Sequence, residues 1–145
     1  MPILNARFRA EVGESLAKPY LDVNYINPHT GKNIRTRALI DTGADVCVLP
    51  SAYAEILGHN LEKGEPSDIM GVSGSVSLYK HTMQIEIEGF KTEEILISFN
   101  PYFHKPLIGV KTFLAHFILT VNYPAQHFSL QLPEVEENMS NWGTI

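Results

Sequence analysis

The sequence predicts a mostly-β domain with one or two short helices, and three observations carry that reading. Apolar and polar residues alternate with period two over much of the chain, most cleanly in Gln84-Ile85-Glu86-Ile87-Glu88. Turn-forming residues punctuate these runs at short intervals, as in Asn27-Pro28-His29-Thr30-Gly31-Lys32-Asn33. Helical signals are confined to two short segments, 50–58 and 110–117.

Taken in order, Ala6 to Val12 sets Phe8, Ala10 and Val12 against Arg7, Arg9 and Glu11 and reads as a first strand. Tyr20 to Ile26 is a second, and a third runs from Ile34 into Asp41, so the first four decades read as a β-meander. Gly43 interrupts it, and Val46 to Leu49 resumes as a short apolar strand. Pro50 to Gly58 suits a short helix, with Ser51 at its start and Gly58 as the left-handed residue past its end. Ile69 to Ile87 is β-rich, with Gly71-Val72-Ser73-Gly74-Ser75 in its first part. Gly89-Phe90-Lys91 turns the chain toward a strand at Glu94 to Phe99. Pro106-Leu107-Ile108-Gly109 is an apolar strand ending at glycine, and Val110 to Phe117 suits a second helix with Phe113, Leu114 and Phe117 on one face. Ile118 to Tyr123 and His127 to Leu132 form a hairpin over Pro124-Ala125-Gln126. Residues 1–132 read as a single domain. The acidic tail, 133–145, is weakly patterned and is either disordered or ordered only against a partner; Trp142 within it is either an exposed residue of a frayed end or an intermolecular anchor.

Bulk properties narrow the function. A net charge of −5 with scattered Lys and Arg counts against nucleic acid as a partner, because phosphate contacts need clustered cations. No apolar run nears the roughly 20 residues needed to span a bilayer, and the N-terminus lacks a signal-peptide pattern, so a soluble cytoplasmic protein without membrane contact is expected. Cys47, the single cysteine, cannot form an intrachain disulfide and sits between Val46 and Val48, where a small core residue is expected. The 6 histidines show no metal-ligand spacing and read as surface or packing residues, and no cofactor is expected.

The chemistry concentrates in Ala38-Leu39-Ile40-Asp41-Thr42-Gly43-Ala44-Asp45-Val46-Cys47-Val48-Leu49-Pro50, an acidic turn between two apolar runs. A carboxylate at the mouth of a buried strand, followed by a hydroxyl and two very small residues, suits close approach by a peptide backbone. Alone, an aspartate before glycine is as readily a turn residue that closes a strand. Leu107-Ile108-Gly109 adds a second signal at a distance, two apolar residues then glycine before a short helix.

Together these stretches resemble the retropepsins, the single-domain aspartic proteases typified by those of retroviruses, and the resemblance spans roughly Phe8 to Leu132. It implies a closed or partly open β-barrel like half of an acid protease, with a flap hairpin placed around Gly71, Val72, Ser73 and Gly74. It implies Asp41 as the catalytic residue, Thr42, Gly43 and Ala44 as its loop, and Leu107, Ile108 and Gly109 as the structural hallmark beside it. Substrate contacts would come from Asp45, Gly71, Val72, Ser73, Gly74 and Ile108, with pockets near Ile40, Val72, Leu107 and Ile108. Thr42 would hold paired loops rigid across a dimer axis.

Amide hydrolysis by this route uses two carboxylates around one water, one taking its proton and the other protonating the carbonyl oxygen. Like charges so close cannot both ionise, as aspartic-protease dyads exemplify. The Asp-Thr-Gly sequence occurs once here, so the reading requires a homodimer and a peptide or protein substrate. Related enzymes often carry a serine or threonine where Ala44 stands; without that hydroxyl, activity is expected to reach weakly acidic to near-neutral pH. The chain also departs from the retroviral pattern, which places an arginine after the hallmark glycine to pair with the aspartate corresponding to Asp45. Here that position is Val110, leaving Lys111, Arg7, Arg9 or solvent as the partner of Asp45. Asp45 itself reads equally as an ion-pair or loop anchor and as a contact to substrate backbone. The alternative to an endopeptidase is a non-proteolytic dimerisation or peptide-binding module on the same fold.

Overall fold

In the computed structural model, which describes residues 2–71 and 74–133, the strands are β1 (Ile3–Arg7), β2 (Tyr20–Ile26), β3 (Asn33–Ile40), β4 (Val48–Pro50), β5 (Glu65–Gly71), β6 (Gly74–Ile87), β7 (Phe90–Lys91), β8 (Ile95–Asn100), β9 (Leu107–Ile108), β10 (Ile118–Asn122) and β11 (His127–Gln131). The larger sheet runs β2-β3-β9-β4-β8-β6-β5, with β7 attached to β6. A further pairing of β2 with β6 brings the path back on itself, so the sheet curls around its core. The length of β6 makes this possible: it faces β5 from Gly74 to Lys80, β8 from Tyr79 to Met83 and β2 from Gln84 to Glu86.

Period-two alternation places Val23 and Tyr25 of β2, Ala38 and Ile40 of β3, and Met83, Ile85 and Ile87 of β6 inside. Ile97, Phe99, Leu49 and Ile108 fill the centre. The antiparallel β2–β3 pair is unbroken from Tyr20 opposite Leu39 to Ile26 opposite Asn33, and Gly31 adopts φ 74° in the intervening turn. At the root of the β5–β6 hairpin, the rings of His59 and His81 stack at 4.3 Å, and His81 Nε2 hydrogen-bonds the Leu61 carbonyl at 2.8 Å. Both histidines thus serve packing. No helix among the described residues is long and apolar enough to cross a membrane.

Three expectations are corrected. The first strand lies earlier than Ala6 to Val12 and joins no meander: β1 pairs with β11 in a separate sheet ordered β1-β11-β10. Only Arg9 makes a bridge beyond it, with Lys18, while Val12 is fully exposed beside a turn at Gly13, φ 87°. The partner strand sits at the far end of the chain, where local alternation gives no hint of it. The first helix is a single turn, Tyr53–Ile56 (α1), and no side chain caps it. Ser51 contributes its carbonyl to the Ala54 N–H (3.0 Å), and its hydroxyl is buried without a partner. Gly58 takes φ 79° just past the helix, as expected. The second helix is a turn closing in a 3₁₀ segment, Leu114–His116. Its apolar face is nevertheless as expected, because Phe113 and Leu114 are buried and Phe117 stacks with Phe90 and Phe113 at 4.9 Å each. The expectations for the tail, including Trp142, fall outside the described residues.

A polar clamp ties the 11–18 loop to β2 and to the segment ahead of β9. Glu14 accepts hydrogen bonds from Lys105, from Lys18 (2.9 Å) and from the Tyr20 hydroxyl (2.7 Å). These donors, Lys105 foremost and Tyr20 next, hold the Glu14 carboxyl far below the usual carboxylate range. A depressed folded-state value means the stabilisation is fully present above the unfolded value of 4.5 and is lost as pH falls below it. Glu14→Gln should therefore flatten the acid limb of a thermal-midpoint profile below about pH 4.5; an acid limb as steep as that of the wild type would contradict the clamp.

Candidate active site

Asp41 leaves the sheet where β3 ends. Its loop spans 41–47 before the chain re-enters as β4, and β9 lies between the two strands, parallel to β3 and antiparallel to β4. The ladder continues one bond past the sheet, since the Asp41 N–H donates to the Ile108 carbonyl at 3.0 Å. The loop then folds onto the carboxylate: the Gly43 N–H donates to Asp41 Oδ1 at 2.9 Å, and the Ala44 N–H donates to the Asp41 carbonyl at 3.2 Å. A Cβ on Gly43 would lie 3.2 Å from Asp41 Oδ1, so the glycine keeps space against the carboxylate. Asp41 is half-buried, while Thr42 and Gly43 are exposed. This aspartate makes the turn-type hydrogen bond of an ordinary strand-closing residue and keeps part of its surface accessible.

The second segment packs behind the loop, backbone against backbone. Val110 N–H donates to the Ala44 carbonyl at 2.8 Å, and Lys111 N–H donates to the Asp45 carbonyl at 2.7 Å. A Cβ on Gly109 would stand 2.4 Å from the Val46 carbonyl oxygen and 2.9 Å from that of Ala44, closer than any side chain tolerates. Cys47 is fully buried. Burial pushes its thiol up, against the opposing effect of hydrogen bonds from the Thr112 hydroxyl (3.2 Å) and the Gly109 N–H (3.4 Å). Thr112 also accepts the Cys47 N–H at 3.1 Å. Thr112 was not among the residues singled out from the sequence, and no spacing rule marks a threonine three positions past a glycine.

Other candidates fall as follows. Leu107 is buried and Ile108 has no exposed surface, so in this chain Ile108 belongs to the core and not to a substrate-facing wall. Gly71 and Gly74 form the last pair of the β5–β6 hairpin, and Gly74 adopts φ 111°. Val72 and Ser73 lie outside the described residues. Asp45 is exposed and makes no ion pair among the described residues, while Arg9, one of its expected partners, binds Asp22 at 3.0 Å. A groove of about 650 Å³ lies on the outer polar face of β2, β3 and β6, between Asp22, Asn24, Arg35, Arg37, Glu86 and Glu88; it does not include Asp41. Among the described residues no cluster of three or more His, Cys, Asp or Glu side chains could hold a metal.

Because the group in the way at Gly109 is backbone, the protein cannot relieve a clash by moving a side chain. Gly109→Ala should cost about 2–3 kcal/mol in urea unfolding. A loss within about 0.5 kcal/mol, the range of neutral surface changes, would mean that the loop yields freely.

Comparison with known proteins agrees with this geometry. The profile of the gag-polyprotein putative aspartyl protease family matches residues 29–115, more than half of the chain. A search of curated proteins finds no match. Among solved structures, a retropepsin-like aspartic protease from Rickettsia conorii superposes with a TM-score of 0.64 at 18% identity, covering 90% of each chain. Looser likenesses include the Simian Foamy Virus (mac) protease, with TM-score 0.46, 17% identity and 65% of this chain on 90% of that one. The EIAV protease complexed with the inhibitor HBY-793 gives TM-score 0.43 and 22% identity, over 70% of this chain and 86% of that one. The chain therefore has a retropepsin-like fold and belongs to the gag-polyprotein putative aspartyl protease family.

Proposed function

We propose that the protein is an aspartic endopeptidase that works as a homodimer, with Asp41 of each copy supplying one carboxylate of the catalytic pair. The observation that carries this reading is the Asp41 loop itself, a half-buried carboxylate with a glycine kept open against it, anchored through its backbone to β9. One carboxylate of the pair accepts a proton from the attacking water while the other protonates the substrate carbonyl. Thr42, exposed beside Asp41, is placed at the dimer contact in this reading. The substrate lies extended under the β5–β6 hairpin and meets Asp45, Gly71, Val72, Ser73 and Gly74.

The second sheet supplies a surface for dimer formation. β10 pairs with β11 without a break and contains no charged residue, whereas the β1 edge is interrupted by a bulge between Ile3 and Ala6. Charges and bulges are the usual guards of an exposed edge, and β10 has neither, which favours it for pairing with a second copy. The reaction is placed in the cytoplasm, a reducing setting suited to the free Cys47. A non-proteolytic dimerisation or peptide-binding module is the competing reading.

Cleavage of a peptide library by the wild type and by Asp41→Asn separates the two readings. Turnover should fall at least about 10³-fold in the variant, as expected for loss of a residue that acts within a catalytic unit; equal turnover would leave only the binding module. Ala44 offers no hydroxyl to the pair, so activity should extend from weakly acidic to near-neutral pH, and an optimum below about pH 3.5 would refute that expectation.

A further inference from the structure

We propose that Thr112 is a positioning residue for the Asp41 loop, taking over through a hydroxyl–cysteine clasp the bracing that a charged pair would otherwise supply. The inference rests on the protease reading of Asp41 and adds a residue to it. Asp45 is exposed and makes no ion pair among the described residues, and the position after Gly109 is Val110, with an apolar side chain. The bracing in this chain is of another kind. The Thr112 hydroxyl accepts the Cys47 N–H at 3.1 Å and donates to Cys47 Sγ at 3.2 Å, while the Gly109 N–H reaches the same sulfur at 3.4 Å. Just ahead, the Val110 and Lys111 N–H groups hold the Ala44 and Asp45 carbonyls.

The loop is anchored along its length. Its start is fixed by the Asp41 N–H on Ile108, and the Ala44 and Asp45 carbonyls are held in its middle. At its end the Cys47 carbonyl accepts the Ser98 N–H at 3.1 Å, so Thr112 supplies the side-chain anchor among backbone ones. Past its own N–H, Asp41 has only short-range bonds within the loop, from Gly43 and Ala44. If the side-chain anchor is lost, the Cys47 N–H is left in the interior without an acceptor, a costly state that the loop relieves by shifting toward solvent. Such a shift moves the carboxylate relative to its twin, and about 1 Å of misplacement is enough to cost a large part of a catalytic rate. Valine fits the space of threonine but lacks the hydroxyl; serine keeps the hydroxyl.

The single cysteine gives a direct readout, because Cys47 is the only thiol a labelling reagent can find. Thr112→Val should raise the rate at which a neutral aromatic disulfide labels Cys47 by about tenfold, the size expected for one buried hydrogen bond. The same variant should lower kcat by about tenfold or more with a smaller change in KM, since of the proposed substrate contacts only Asp45 lies on the loop. Thr112→Ser should restore most of both effects. Thermal midpoints taken in parallel correct for any loss of folded protein. Unchanged labelling in folded Thr112→Val would overturn the clasp, and faster labelling with unchanged kcat would overturn its positioning role. Asp41→Asn as active as the wild type would instead remove the protease reading, and with it the positioning role, while the labelling rates still decided whether the clasp holds the loop.

Discussion

The constraint on which the rest depends is the contact between two backbones, that of Gly109 and that of the Asp41 loop. A Cβ at residue 109 would lie 2.4 Å from the Val46 carbonyl oxygen, so the two segments meet at a distance that only glycine permits. Given that contact, the remaining arrangement follows. β9 can lie between β3 and β4, the Ile108 carbonyl can take the Asp41 N–H, and the two residues after Gly109 can hold the carbonyls of Ala44 and Asp45. The carboxylate is then carried at the end of an interior strand of a sheet packed through Ile40, Leu49, Phe99 and Ile108. In the protease reading, rigid support of this kind suits a group that meets an identical group across an axis.

Much of this was legible in the sequence because its signals are local. Asp-Thr-Gly-Ala between apolar runs marks a strand, a turn and a strand, and Leu-Ile-Gly marks a buried strand that ends where backbone must come close. The β2–β3 and β10–β11 hairpins declare themselves through alternation on both sides of a turn. What could not be read depends on partners far away in the chain. β1 takes its place from β11, so alternation near Arg9 and Glu11 misled. The segment after Gly109 closes through wide bonds, from the Leu114 N–H to the Gly109 carbonyl and from the Ala115 N–H to the Val110 carbonyl, and then tightens into a 3₁₀ segment, a detail that side-chain spacing does not encode. Thr112 was invisible because its role exists only when Cys47 lies beside it.

The departure at Val110 changes the character of the bracing. A charged pair is directional and depends on ionic strength. Here the loop is held by backbone hydrogen bonds, a hydroxyl and a buried thiol. Asp45 is thereby released from a structural duty and left exposed beside Asp41, which in the protease reading places it to meet substrate backbone.

The central claim is that one chain holds half of a catalytic site, and subunit mixing tests it most directly. Asp41→Asn protein is added in equal amount to a fixed quantity of wild type under conditions that allow exchange, and peptide cleavage is measured. Random pairing leaves wild-type pairs as about a quarter of twice as many dimers, so turnover should fall to roughly half. Turnover unchanged by the added variant, in a mixture whose exchange has been verified, would mean that each chain acts alone and would contradict the account.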